Sequence, residues 1–596
     1  MKMILRRFPL LVFACLSVAA AQNASVTVDA KKETGRINPY LYGLNVARWD
    51  EGLFPGPPNE MLLTCDRDAI AKVKAAGFTL LKYPGGNDAD QYIWNSPKNS
   101  PGEMDTDEYA ALLRETNSVG FITVNFNEPP SLAAEWVRYC NRVKGYNIPY
   151  WEVGDEQWGA WAIGHTTPEG YGARFVEFAK AMKDVDPTIK IAMNIVPSDD
   201  PNGWSVRALR SARDYVDLVT YSWYPITNKN ENADTLFASM RKFRGGYAAM
   251  RRAIQAALPK EKADAMWVIN VGYNSVSGYP GPFVLSMANA LYIADMVGTM
   301  AELGEAISCY WALHNAYPPG RSDYGILSAE GENLIRNNYF VFEMFTRHFG
   351  NVMLQSSSGD AAVSAYASRR GNDTLSVILL NKDGKCSHPV TIELGDFKAV
   401  PNAHVWILDE KRKLEQLVDA SVTGSRLTLE LPPYSAVVVN ALREGATLPP
   451  VNLALGAKAS ASTYSTTDPY FGPGSAVDGK PFTRWASAAW ASKDGTDPEW
   501  FELDFGAPRT FDCCVLKWAK GYGLQYTLVV SDDGKEWREI VKESDGKGGM
   551  EEFNFAPVRA RYLRLKGTKG SSGKGTISTY SLYEFEVFDT RAPRKF

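Results

Sequence analysis

The sequence predicts a multidomain protein: a (β/α)8 TIM barrel, an accessory β-sandwich and a C-terminal β-sandwich. Three observations carry this. At 596 residues the chain is too long for one compact core. Between about residues 37 and 348, β-like runs alternate with helical patterns, as in a parallel barrel wrapped by helices. Beyond about residue 350 helical periodicity gives way to short alternating strands, in two regions separated by a linker.

Taken in order, residues 1–21 read as an export signal. Lys2, Arg6 and Arg7 form a basic start, Leu10 to Ala20 an apolar stretch, and Ala19-Ala20-Ala21 a cleavage site, so the protein is expected to be secreted or periplasmic. The barrel is expected over 22–348, with a first sandwich strand at 24–34. Its strands are expected to end at Gly43-Leu44-Asn45, Lys82-Tyr83-Pro84, Val124-Asn125-Phe126, Val153-Gly154-Asp155, Asn194-Ile195-Val196, Ser222-Trp223-Tyr224, Asn270-Val271-Gly272 and Tyr310-Trp311-Ala312. Helices are predicted over Ser131 to Lys144 and Pro168 to Val185, the second opened by a Thr-Pro cap. Val284 to Leu303 is apolar nearly all round, the pattern of a helix packed on both sides. The accessory sandwich is expected over 349–443, a linker that opens with EGATLPP over 444–451, and the last β-domain over 452–590.

Composition narrows the function. Lys and Arg total 64 against 68 Asp and Glu, so there is no basic excess to neutralise phosphates, and nucleic acid is not an expected partner. The mature chain has no apolar run long enough to span a bilayer. The five His are too scattered for an HExxH-type metal site, and the six Cys left after cleavage follow no disulfide or zinc spacing. Sixteen Trp and 29 Tyr suit sugar stacking, and equally suit large β-rich cores. Functional side chains of such a barrel gather at the C-terminal strand ends. There the sequence places Asn45, Lys82, Asn87, Asp88, Asn125, Glu128, Asp155, Glu156, Tyr221, Tyr224, Tyr273, Asn274, Trp311 and His314.

Two of these strand ends carry a resemblance. Tyr83-Pro84-Gly85-Gly86-Asn87 and Tyr150-Trp151-Glu152-Val153-Gly154-Asp155-Glu156 resemble the arabinofuranosidase-type glycoside hydrolases of the large retaining-barrel clan. Those enzymes carry a PGGN turn after the second strand and W-E-x-G-N-E at the end of the fourth. Leu291-Tyr292-x-Ala294-Asp295-Met296 and Pro432-Pro433-Tyr434-Ser435 extend the likeness, which covers roughly residues 25 to 443. It implies a polysaccharide or oligosaccharide substrate, Glu156 as general acid/base, and no catalytic cofactor. Asn87 matches a sugar-hydroxyl contact. Asp88, Asn125, Tyr224, Asn274, Trp311 and His314 are further candidate substrate contacts.

Two positions depart from that pattern. The residue before the acid is normally Asn, and here it is Asp155. The nucleophile belongs in a T-E-W/Y-N-S run on the seventh strand, where this chain reads Val271-Gly272-Tyr273-Asn274-Ser275. A two-step retaining mechanism needs two carboxylates about 5 Å apart, and Gly272 removes one. Either the protein is a catalytically silent homologue that binds sugar, or another group serves: Glu128, Asp155, or Tyr273 in the manner of tyrosine-nucleophile sialidases.

The last domain resembles discoidin or coagulation-factor type C modules, a jelly-roll group that includes carbohydrate binders. The resemblance rests on Ala476-Val477-Asp478-Gly479, Thr483-Arg484-Trp485, Leu503-Asp504-Phe505-Gly506, Val530-Ser531-Asp532-Asp533-Gly534, Ala560-Arg561-Tyr562-Leu563-Arg564-Leu565 and Glu584-Phe585-Glu586-Val587. It implies a structural calcium, for which Asp478, Thr483 and Glu584 are the matching side chains. Trp485 and Trp518 read as core, and Tyr464, Tyr470, Trp490 and Tyr522 as sugar-stacking candidates.

Overall fold

The computed structural model describes residues 24–590 apart from 51–66, 98, 100–102, 198–199, 201–202, 279, 316–323, 330–331, 447–451, 456, 467–470, 479–483, 489–498, 520 and 572–579. The export signal expected at 1–21 and most of the linker expected at 444–451 lie outside the described residues.

Eight parallel strands close a barrel in chain order: Gly43–Asn45, Leu80–Tyr83, Val119–Val124, Tyr150–Val153, Lys190–Asn194, Leu218–Trp223, Trp267–Tyr273 and Ile307–Tyr310. The eighth pairs back to the first. Successive residues of a strand point to opposite faces, so the interior fills in layers. Leu80, Phe121, Tyr150, Ala192 and Leu218 contribute to an apolar layer. Two residues further along each strand, Lys82, Thr123, Glu152, Asn194 and Thr220 form a fully buried polar one towards the C-terminal mouth. Lys82 Nζ lies 3.2 Å from Glu152. Thr123 Oγ1 and Asn194 Nδ2 donate to the same carboxylate at 2.8 and 3.0 Å. Across the closing seam, the Asn45 amide donates to the carbonyls of Val271 and Cys309 at 2.9 and 3.1 Å.

The helical layer follows local signals with one exception. Pro168–Val185 begins as predicted, with Thr167 accepting from Gly170 N and proline in the first turn. The helix expected over Ser131 to Lys144 is regular only for Pro130–Val137 and widens to a π-type turn over Arg138–Val143. Tertiary bonds hold that irregular turn: Asn141 clasps Ile148 through both its peptide N–H and its carbonyl, and Tyr139 donates to Asp107. Met287–Leu303 is buried nearly all round because the barrel packs one side and the accessory sandwich the other. From the sandwich, Tyr366 donates to Asp295 at 2.5 Å and Lys382 pairs with the same carboxylate at 3.3 Å. A Cβ on Gly298 would come within 2.5 Å of the Tyr366 ring, so this contact requires glycine.

The accessory sandwich takes one strand, Ala24–Arg36, from before the barrel and the rest from Val352–Ser358 to Ser435–Arg443. Ala24–Arg36 pairs antiparallel with Val352–Ser358 and parallel with His388–Glu393. The C-terminal domain is built on two long strands, Glu499–Trp518 and Met550–Gly570, that pair along most of their length. Its core holds Trp485, Phe501, Trp518 and Phe585. Of the cysteines, Cys140, Cys309, Cys513 and Cys514 are buried and Cys386 is exposed, while Cys65 lies outside the described residues. No described helix is long and apolar enough to cross a membrane.

Removing one partner of a buried ion pair strands the other charge and costs about 3–5 kcal/mol, whereas replacing both with apolar groups is far milder. Lys82→Met is therefore expected to lower unfolding free energy by about that amount in urea titration. The double variant Lys82→Met/Glu152→Leu should recover most of the loss.

Candidate active site at the barrel mouth

The fourth strand delivers the carboxyls. Past Val153 the chain turns at Gly154, whose φ is +69° and whose Cβ would meet Gln157 and Phe126 at 2.9 Å, so only glycine fits. Glu156 follows with φ +53°, a left-handed conformation that costs a non-glycine residue about 1 kcal/mol and recurs at functional sites. Its carboxylate accepts from Trp161 Nε1 at 2.6 Å. Trp161 is 61% exposed and stands edge-on to Trp158 at 5.0 Å, so an indole face lies open beside the acid. The sequence reading passed over Trp161, although it lies only five residues beyond Glu156.

Asp155 is buried. A Cβ on Gly86 would touch its Oδ2 and the Trp311 ring at 3.5 Å, so the glycines of the PGGN turn let backbone, carboxyl and indole meet. Burial holds the Asp155 carboxyl well above the usual carboxylate range; the Lys82 ammonium opposes this, and Glu156, Glu152 and Asp90 reinforce it.

Beneath this turn sits Asp90, also missed from sequence. It accepts from Phe126 N at 2.8 Å, Asp155 N at 2.9 Å and Gln157 Nε2 at 2.6 Å, tying the third and fourth strand ends together. Burial nevertheless pushes its pKa up to about 7, against the lowering effect of those bonds.

An aromatic wall flanks the carboxyls. Trp311 and Trp49 meet edge-on at 6.2 Å, and Trp49 Nε1 donates to the His314 carbonyl. The seventh strand end adjoins this wall, with Trp311 N–H donating to the Tyr273 carbonyl at 3.2 Å. A Cβ on Gly272 would stand 3.1 Å from the Tyr224 hydroxyl and 3.7 Å from Ser222 Oγ.

Several expected site residues prove to be occupied elsewhere. Tyr273 faces the helical layer, fully buried, with its ring edge-on to Tyr310 and its hydroxyl at Ser308, so it is no second group at the mouth. His314 is buried between Asp50 and Asn333, at 2.9 and 2.8 Å, and braces the loops that carry Trp49 and Trp311. Asn274 spends its amide on the Tyr310 hydroxyl and the Trp311 carbonyl, and its oxygen accepts from Ser275 N. Asn125 donates to the Tyr92 carbonyl and accepts from Asn127 N. With Glu128 it lines a separate hollow walled by Tyr92, Trp94 and Trp136. Tyr221 points outward to Glu305. Asn87 and Asp88, both half-buried, lie on the short turn Asn87–Gln91 that follows the PGGN glycines.

In the C-terminal domain Trp485 and Trp518 are buried, Tyr464 is exposed and Tyr522 half-buried; Tyr470 and Trp490 lie outside the described residues. Of the calcium candidates, Asp478 is half-buried two residues past the short turn Pro473–Ala476 and Glu584 is buried on the last strand, while Thr483 lies outside the described residues. Among the described residues no three or more His, Cys, Asp or Glu gather as a metal site.

Asp90 makes stability depend on pH. Its carboxyl titrates near 7 in the folded chain against an ordinary value of 3.8, so the fold keeps a proton that the unfolded chain releases across that window. Asp90 therefore weakens the fold progressively as pH rises from about 4 to 7. Asp90→Asn should gain about 2–3 kcal/mol relative to the unaltered chain between pH 5 and pH 8, whatever its offset at pH 5. A constant offset across that range would show that Asp90 is already ionised.

Comparison with known proteins bears on both ends of the chain. Residues 457–582 match the F5/8 type C domain family. An intracellular exo-alpha-(1->5)-L-arabinofuranosidase of Acetivibrio thermocellus is 28% identical over 258 residues, 37% of this chain and 51% of that protein. A probable alpha-L-arabinofuranosidase C of Aspergillus clavatus is 26% identical over 209 residues, 29% of this chain and 41% of that protein. The chain thus spans about half the length of the curated relatives it matches. Among solved structures, the alpha-L-arabinofuranosidase of Thermotoga maritima in complex with arabinose superposes over 70% of this chain and 100% of its own, with TM-score 0.60 and 19% identity. A Paenibacillus polymyxa xyloglucanase of glycoside hydrolase family 44 covers 71% of this chain and 100% of its own, with TM-score 0.55 and 14% identity. At such identities the solved structures speak to fold alone. The chain joins a barrel-and-sandwich unit similar to arabinofuranosidase-type glycoside hydrolases to a C-terminal F5/8 type C domain.

Proposed function

We propose that this chain is an exported glycoside hydrolase acting on arabinofuranosyl or related linkages of plant or microbial polysaccharide, with Glu156 as general acid/base. The observation that carries the reading is the Glu156 carboxyl, at the C-terminal end of the fourth barrel strand and hydrogen-bonded by an exposed tryptophan. Such a group protonates the leaving oxygen in one step and deprotonates water in the next. Trp161 offers a flat apolar face for a sugar on the leaving-group side, and Trp311 with Trp49 offers another beside Asp155. The names of the curated relatives support the substrate class. The F5/8 type C module is proposed to hold the enzyme on its glycan, with Tyr464 and Tyr522 as stacking residues and a structural calcium at Asp478, Thr483 and Glu584.

The test is turnover by the purified chain on aryl α-L-arabinofuranosides, β-D-xylosides and β-D-galactosides. Activity is expected on at least the first, and Glu156→Gln should lower it by about 10²–10⁴-fold. One observation favours a second reading: Gly272 leaves the seventh strand end without a carboxylate. Glycan binding with no turnover on any of the three substrates would establish a silent, sugar-binding protein. If calcium braces the C-terminal module, a chelator should lower its melting temperature and added calcium should restore it.

A further inference from the structure

The seventh strand end lacks a carboxylate, but a functional group stands over it. A Cβ on Gly272 would approach the Tyr224 hydroxyl to 3.1 Å, closer than a side chain is comfortably accommodated. The phenol thus occupies the ground that a longer residue at 272 would need. Tyr224 follows the sixth barrel strand and is half-buried. Its ring lies edge-on to Tyr324 at 6.1 Å, and Tyr324 is itself pinned by bonds to the carbonyls of Val276 and Gly278, at 2.7 Å each. The phenol is therefore held in position by a fixed neighbour. Burial keeps it from ionising alone, and Tyr324, Glu156 and Asp155 all add to that resistance.

We propose that Tyr224 is the nucleophile of this site and Asp155 the base that takes its proton, an assignment that rests on the hydrolase function proposed above. A phenol that does not ionise unaided must lose its proton as it attacks, and it needs a base stronger than an ordinary solvated carboxylate. Asp155 is the buried carboxyl of the same barrel mouth, with its Oδ2 beside Gly86 and the Trp311 ring, and burial lifts that carboxyl above the usual range. In the first step Tyr224 Oη bonds to the anomeric carbon while its proton passes to the Asp155 carboxylate. The bond from that carbon to the leaving oxygen breaks, and the leaving oxygen takes the proton of Glu156. The enzyme then holds a glycosyl–tyrosine ether, a neutral Asp155 and an ionised Glu156. In the second step Glu156 takes a proton from water, and the water oxygen bonds to the anomeric carbon. The ether bond breaks, and Tyr224 recovers its proton from Asp155. Two displacements return the sugar with retained configuration and restore every group. Asp155 and Gly272 then read as one arrangement: the small residue leaves space for the phenol, and the carboxylate that activates it stands on another strand.

The test uses the full chain, an aryl arabinofuranoside and an arabinofuranose-configured cyclitol epoxide that alkylates nucleophiles. Peptide mapping after inactivation should find the label on Tyr224. Tyr224→Phe should lose about 10³-fold or more in kcat with KM nearly unchanged. Asp155→Asn should lose turnover as well, although Asn can still bind a sugar hydroxyl, and this separates a base from a mere contact. Label on Asp155 or Glu128, or full turnover by a folded Tyr224→Phe, would overturn the assignment. Absence of turnover by the unaltered chain would instead refute the hydrolase function on which it rests.

Discussion

A lysine and a glutamate inside the barrel set the terms for the site above them. Lys82 and Glu152 are fully buried 3.2 Å apart, in the polar layer directly below the mouth. Removing two charges from water is repaid only where the remaining lone pairs are met, and Thr123 and Asn194 meet those of Glu152. The lysine has a wider role. Glu152, Asp155, Asp90 and Glu156 all crowd the same few strand ends, and Lys82 is the cation set among them. Burial by itself would lower Lys82, but Glu152 and Asp155 outweigh it and hold the ammonium above its ordinary range. The barrel can thus carry a cluster of carboxyls at its mouth because one cation beneath offsets part of their repulsion.

The mouth divides into parts that hold and parts that face solvent. Asp50, His314 and Asn333 form a buried chain whose effect is felt through the two tryptophans it steadies. Asp90 does the same for the turn bearing Asp155 and Glu156. Trp161, by contrast, is mostly exposed and joined to the acid by a single bond. The face with Trp49 and Trp311 is therefore rigidly braced, while the face with Trp161 can adjust to what lies on it, a division that suits one fixed sugar and a more variable neighbour.

Most of the architecture was legible because it rests on local signals. Every barrel strand ends where a β-like run meets a turn, and Thr167-Pro168 marks a helix start unaided. The faces of strand-end side chains were less legible. Pairing of the seventh strand is irregular between Tyr221 and Ser222 on one side and between Ser308 and Tyr310 on the other. A one-residue slip reverses inside and outside, so Tyr273 turns to the helices although its position suggests the mouth, while Tyr221 turns outward by plain alternation with the inward Thr220. His314, Asn274 and Asn125 carry polar groups suited to sugars, but those groups meet partners distant in sequence or held by loop geometry. Asp90 and Trp161 act from loops whose conformation is set by tertiary contacts, and no periodicity announces them.

The strand Ala24–Arg36 has a consequence for how the chain is made. Its partners, Val352–Ser358 and His388–Glu393, emerge more than 300 residues later. At roughly 5–20 residues per second, the ribosome leaves this strand unmatched for about 15–60 s, with Val26 and Val28 ready to pair with any stray edge. Its second half, Lys31-Lys32-Glu33 to Arg36, is dense in charge and exposed, the composition that keeps a waiting strand from associating with its neighbours. When its partners arrive, the strand takes its place between them, and backbone hydrogen bonds to both complete the accessory sheet. Barrel and accessory sandwich thereby become a single unit, in which neither the first nor the last of these strands can be removed without reopening the other's edge.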